Sequence, residues 1–112
     1  MYYVYMLWCR DDTLYTGTAS DLCRRMRQNR DGGAACARYT RSHPPRELAG
    51  VWRTEGRREA LRLEYAVKRL SRQGKLTLLH RPETAADLLP GVAAEPVPGV
   101  TLVMCLEGEF HE

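Results

Sequence analysis

None of the four cysteines in this 112-residue chain (Cys9, Cys23, Cys36 and Cys105) falls in a Cys-x-x-Cys pair, and no histidines stand at zinc-ligand spacing. A structural zinc site is therefore not expected. Long apolar runs are missing as well; the longest are far too short to cross a bilayer, so no membrane partner is expected. No basic n-region followed by an apolar h-region, the pattern of a secretory signal, precedes the first apolar segment. These absences together point to a cytoplasmic protein with reduced thiols. The length suits one domain whose core is one small sheet with two or three helices, and leaves no room for a repeat array.

Positive charge is present but unevenly spread. The net charge of +3 conceals a middle segment, residues 22 to 81, with sixteen lysines and arginines against five acids. The last 31 residues carry six acids and neither lysine nor arginine. A basic block of this kind suits a polyanion, because neutralising phosphates releases condensed counterions. A solvated basic surface is the plainer alternative, and an acidic tail folded back over the basic face is another.

Apolar and aromatic residues with β-branched support from Tyr2 to Trp8 predict a strand buried on both faces, with Thr13 to Gly17 as its hairpin partner across a turn at Asp11-Asp12. Gly17 marks a place where the backbone comes close to another group or turns sharply. Thr18 or Ser20 can cap a helix that Asp21 favours through the helix dipole, with Leu22 and Met26 inward and Arg24, Arg25, Arg27 and Arg30 spread over the other faces. Gly32-Gly33 predicts a loop, and Pro44-Pro45 an extended approach to a third strand over Glu47 to Arg53. From Arg57 to about Ser71 the period becomes helical, Ala60, Leu63, Val67 and Leu70 forming one stripe. Glu64 sits at its border, where a carboxylate either points into a cleft or pairs with Lys68 one turn on. A short helix over Lys75 to Leu79 follows. Pro82 to Gly99 holds four of the six prolines and predicts a partly ordered linker, and Val100 to Leu106 is apolar enough for a strand on a sheet edge or between two chains. The domain is thus expected over 1–81, with 82–112 an acidic extension and a homodimer through its strand one outcome.

Two triplets, Val4-Tyr5-Met6 and Tyr15-Thr16-Gly17, are followed by Arg25 ten residues after Tyr15 and by Glu64. Ala37 to Pro45, then Glu47-Leu48, and Ala60 to Leu70 complete an ordered set over roughly Met1 to Leu79 that resembles the GIY-YIG endonuclease superfamily, in particular its small single-domain bacterial members. The expected fold is α+β: a three-stranded, mainly antiparallel sheet flanked by helices in ββαβα(α) order. The resemblance implies a DNA endonuclease of repair or processing, with Glu64 holding one Mg²⁺ or Mn²⁺, an oxygen-loving cation that keeps its waters at a single carboxylate. Arg25 would clamp a non-bridging phosphate oxygen, Tyr5 would position water or phosphate, and Tyr15 is the candidate general base. A phenol serves as a base near neutrality only if a nearby cation lowers its pKa from about 10.

Many members of the superfamily carry histidine four residues after the helix arginine; here that position is Asn29. Asparagine can hydrogen-bond a phosphate or water but carries no proton at neutral pH. His43 is the candidate to substitute for it in space, and a surface histidine beside prolines is the alternative. Arg24, Tyr39, Thr40, Arg41 and Lys68 are candidate nucleic-acid contacts, loop packing being the alternative for Tyr39, Thr40 and Arg41. Three readings stay open: a metal-dependent nuclease, a nucleic-acid-binding module on a disabled nuclease scaffold, and an interaction protein joined through its tail strand.

Overall fold

The computed structural model describes residues 1–31 and 38–111, with Arg38 and Tyr39 as backbone. The expected loop at Gly32-Gly33 lies outside the described residues, as does Cys36. Strand β1 (Tyr2–Cys9) runs through the middle of the molecule and pairs antiparallel with β2 (Leu14–Ala19) on one side and β3 (Pro45–Thr54) on the other. A two-residue strand, β4 (Glu95–Pro96), adds to β3, giving the order β2-β1-β3-β4. The fold is α+β as expected, with a fourth strand beyond the three anticipated. The β1–β2 turn is closed by backbone bonds between Cys9 and Thr13 and by Asp12 in the left-handed region, φ 64°. Arg46 and Arg72 fasten it further, each pairing with Asp12 and lying 5.7 and 5.4 Å from the Trp8 ring.

Strand alternation gives the sheet two apolar faces. Tyr3, Tyr5, Leu7 and Val51 point to one face, covered by α1 (Leu22–Asp31), whose buried side is Leu22, Cys23, Met26 and Asn29. Asp21 caps that helix by accepting from Arg24 N, so the cap lies one residue beyond Ser20. A helix not anticipated, α2 (Arg38–Ser42), leads to β3. Val4, Met6 and Trp52 point to the other face, where α3 (Arg57–Lys68) lays Ala60, Leu63 and Val67 on them. The next helix, α4 (Arg72–His80), begins three residues before the expected Lys75 because Ser71 accepts from Gly74 N and caps it.

The segment after residue 81 is corrected by the structure. It continues as a 3-10 turn (Pro82–Thr84), α5 (Ala85–Leu88), β4 and α6 (Leu102–Leu106). The strand expected over Val100 to Leu106 is therefore a helix, capped by the Thr101 hydroxyl accepting from Met104 N. The reason is periodicity: Leu102 and Cys105, three apart, are the buried pair, a helical spacing that a short apolar run disguises. With no strand there, the idea of two chains pairing through it loses its basis. Nor is the segment a loose extension, since Ala85, Leu88 and Leu89 join the α3 face while Val97, Val100, Leu102 and Cys105 join the α1 face. Glu47 pins α6 to the sheet, its Oε1 accepting from both Leu48 N and Leu102 N. Among the described residues no helix is long and apolar enough to cross a membrane.

Candidate active site

The β2 edge of the sheet lies between α1 on one face and α3 on the other, and the side chains singled out in the sequence gather around it. Tyr5 stands opposite Gly17 in the β1–β2 register, and Tyr15 two positions along stands opposite Leu7, so both phenols rise on the α1 face. Their rings are 6.2 Å apart, tilted by 51°. Gly17 is what lets the Tyr5 phenol lie across β2: a Cβ there would meet Tyr5 Oη at 2.5 Å and Cζ at 2.7 Å, closer than real Cβ contacts come. Here the glycine is required by space rather than by backbone angle.

Tyr5 is only 1% exposed. Burial pushes its phenol far above the ordinary tyrosine range, and Tyr15 and Glu64 push the same way, while the Asn29 amide and the charge of Arg25 oppose them. Tyr5 is thus a neutral hydroxyl at working pH, fit to donate or accept a hydrogen bond and unfit to act as a base.

Asn29, 2% exposed, faces inward from α1, and its Oδ1 accepts from the Thr40 hydroxyl at 3.2 Å. Thr40 is equally buried, which turns it away from a solvent-facing phosphate and makes it a support for the Asn29 side chain. No spacing rule links positions 29 and 40; only the packing of α2 on α1 brings them together. Arg25 is half-buried on the same flank of α1, and among the described residues its guanidinium forms no hydrogen bond or ion pair. Beside it a shallow depression is lined by Ala19, Ser20, Asp21, Arg24, Arg25 and Gln28.

From the other side of β2 comes Glu64, its side chain 18% exposed, in an ion pair with Lys68 at 3.2 Å. The Lys68 ammonium also lies 5.9 Å from the centre of the Tyr15 ring. The i,i+4 pair with Lys68 therefore forms, with most of the Glu64 side chain buried. Lys68 links the carboxylate to the tyrosine, a contact the sequence spacing does not reveal. A single carboxylate such as that of Glu64 is a donor that fits Mg²⁺ or Mn²⁺, hard cations that retain waters and take remaining ligands from a substrate phosphate. Among the described residues no cluster of three or more acids, histidines or cysteines offers a fuller cage.

His43 is held elsewhere, its Nδ1 against Asp11 Oδ2 in the β1–β2 turn. The structure thus ties it to the hairpin end and not to Asn29. Arg41 is exposed on α2. The Tyr39 side chain lies outside the described residues.

A family model described as the GIY-YIG catalytic domain matches residues 1–77. UPF0213 protein BH0048 of Halalkalibacterium halodurans is 41% identical over 78 residues, covering 70% of this chain and 81% of that protein. A UPF0213 protein of Nitratidesulfovibrio vulgaris is 37% identical over 101 residues, 90% of each chain, a span that includes much of the segment after residue 81. The solution NMR structure of the BH0048 protein matches with a TM-score of 0.47 at 38% identity, covering 80% of this chain and 98% of that one.

Proposed function

Because this chain belongs to the GIY-YIG catalytic-domain family, we propose that it is a divalent-cation-dependent endonuclease that hydrolyses DNA phosphodiester bonds at the β2 edge, in DNA repair or processing in the cytoplasm. The observation that carries this reading is the placement of Tyr5 and Tyr15 with rings 6.2 Å apart over Gly17, with the Lys68 ammonium of the Glu64–Lys68 pair 5.9 Å from the Tyr15 ring.

In this reading the Arg25 fork, free of ion pairs among the described residues, grips a non-bridging oxygen of the scissile phosphate and stabilises the charge that develops on it. The buried Tyr5 hydroxyl positions water or phosphate. Tyr15 takes the proton of the attacking water as the new O–P bond forms and the bond to the leaving oxygen breaks. The Lys68 ammonium lies 5.9 Å from the centre of its ring. Glu64 holds the Mg²⁺ or Mn²⁺, which when bound supplies charge stabilisation and acidifies water. For that, Glu64 must exchange its Lys68 partner.

The test is cleavage of labelled single-stranded, duplex and branched DNA by wild type and Glu64→Ala, each with Mg²⁺, Mn²⁺ and chelator. Cutting that needs the metal and disappears in the variant is the expected result; retained cutting by Glu64→Ala sinks the metal assignment. A second reading, a binding module on a disabled scaffold, is favoured by Asn29, which takes a buried hydrogen-bonded position without a titratable proton. No cutting by wild type together with salt-sensitive binding supports it, and cutting gained by Asn29→His strengthens it further.

A further inference from the structure

The helix that brings Glu64 to the cleft has a second face that the site does not use. Ala60, Leu63 and Val67 bury one stripe of α3. On the opposite face Tyr65 is 63% exposed and Leu61, one turn before it, 38%. They are two of the four large apolar side chains left exposed among the described residues. Around Tyr65 at helical spacings of three, four and seven stand Arg58, Arg62, Lys68 and Arg69, so all share its face. Arg58 and Arg62 have no hydrogen-bond or ion-pair partner among the described residues, and the nearby acid Glu64 is engaged with Lys68. Arg69 lies against the ring, its Cζ 5.6 Å from the centre, and donates to Tyr65 Oη at 3.1 Å. An aromatic plane flanked by uncompensated arginines is the chemistry of a strand-binding platform: a base stacks on the ring while the guanidiniums take the phosphates on either side.

We propose that the outer face of α3, centred on Tyr65 with Arg58, Arg62 and Arg69, binds an unpaired DNA strand leading to or from the cleft. The inference rests on the nuclease reading and specifies its substrate: DNA with a single-stranded segment beside the cut. Tyr65 follows Glu64 directly in the chain, so a strand on this face lies within a residue or two of the cleft carboxylate. The occupant is argued from charge complementarity, since the face is basic throughout and the ring stacks any base.

Binding is measured by fluorescence anisotropy in the Glu64→Gln background with chelator present, against labelled oligothymidylate and a blunt duplex of equal length, over a range of salt. Tyr65→Ala, its fold checked by circular dichroism, is expected to weaken oligothymidylate binding at least about fivefold while changing duplex binding little, and Tyr65→Phe to restore it. Arg58→Ala/Arg62→Ala should flatten the plot of log affinity against log salt by roughly 0.7 for each phosphate of the single strand that is no longer neutralised. Variants that bind both probes as the parent does, while Arg25→Ala loses affinity, overturn the α3 platform and leave the nuclease reading standing. An effect of the arginine pair without any of Tyr65→Ala leaves a merely charged surface and overturns the stacking role. Absence of salt-dependent DNA binding by the parent itself overturns both.

Discussion

On one flank of α1 stand Arg25 and Asn29, facing the β2 edge; on the other stand Cys23 and Arg27, facing α6. The two flanks belong to the same ten-residue helix and pack on the same sheet, yet their chemistry diverges. Towards α6 the contacts are closed: Leu102 and Cys105 fill the space, Arg27 donates to the Cys105 carbonyl, the Cys23 thiol to that of Phe110, and Glu47 satisfies two backbone amides. Towards β2 they are left open. A buried phenol is held over a glycine, a carboxylate is paired only with its own helix neighbour, and a guanidinium is unspent among the described residues. A flank built for stability completes its bonds internally, whereas a flank built to act on a substrate holds groups whose best partners arrive with it.

The largest expected effect separates the flanks by activity. Arg25→Ala should lower cleavage by about a hundredfold or more, since a phosphate-clamping group is worth a few kcal/mol in the transition state; its melting temperature should stay close to wild type. A parallel loss of stability would mean that Arg25 is a packing residue after all. On the closed flank the balance reverses. Leu102→Ala should cost about 2–4 kcal/mol in urea unfolding through the cavity it leaves, with DNA affinity below the transition retained. Gly17→Ala falls between the two, because the new methyl displaces the Tyr5 phenol: about 1–3 kcal/mol of stability should go, and cleavage should fall with it. Intact cleavage in that variant would show that the position of the Tyr5 hydroxyl is immaterial.

The smallest effect lies at neither flank but in the hairpin turn. Hydrogen bonds from Thr13 and then His43 hold the Asp11 carboxyl down at about 2. A carboxyl depressed in the folded state stabilises only while ionised. Its contribution is fully present above about pH 4, where the unfolded carboxyl is already charged, and is lost as pH falls towards 2. Asp11→Asn should therefore be slightly less stable than wild type at pH 6, with the gap closing through that window. Acid unfolding curves that stay apart at pH 2 would contradict the assignment.

Much of the site is legible along the chain because its parts sit at fixed offsets on regular elements. Tyr5 and Tyr15 fall on paired strands, Arg25 lies a set distance into the helix that follows, and Glu64 borders an apolar helical stripe. What is not legible comes from contacts between distant segments. Thr40 reads as a surface contact because nothing in the spacing from 29 to 40 reveals that α2 turns its hydroxyl inward on Asn29. His43 reads as a stand-in for the missing histidine, but Pro44 bonds to Arg10 and holds it by the hairpin, against Asp11. Tyr65 carries no mark in the sequence, since exposure is a property of the folded surface and a tyrosine in a helix looks the same buried or bare.

By itself the sequence determined the α+β class, the first hairpin, the two helices that flank it and the family, for these depend on local periodicity and on short ordered motifs. Only the tertiary structure decided the last third of the chain. A seven-residue apolar run such as Val100 to Leu106 is compatible with strand or helix; the choice fell to helix because Thr101 caps it, Leu102 and Cys105 meet the α1 face, and Glu47, 55 residues earlier, receives its first amide. Such a decision is made by burial and by hydrogen bonds across the fold, energies that no window of neighbouring residues contains.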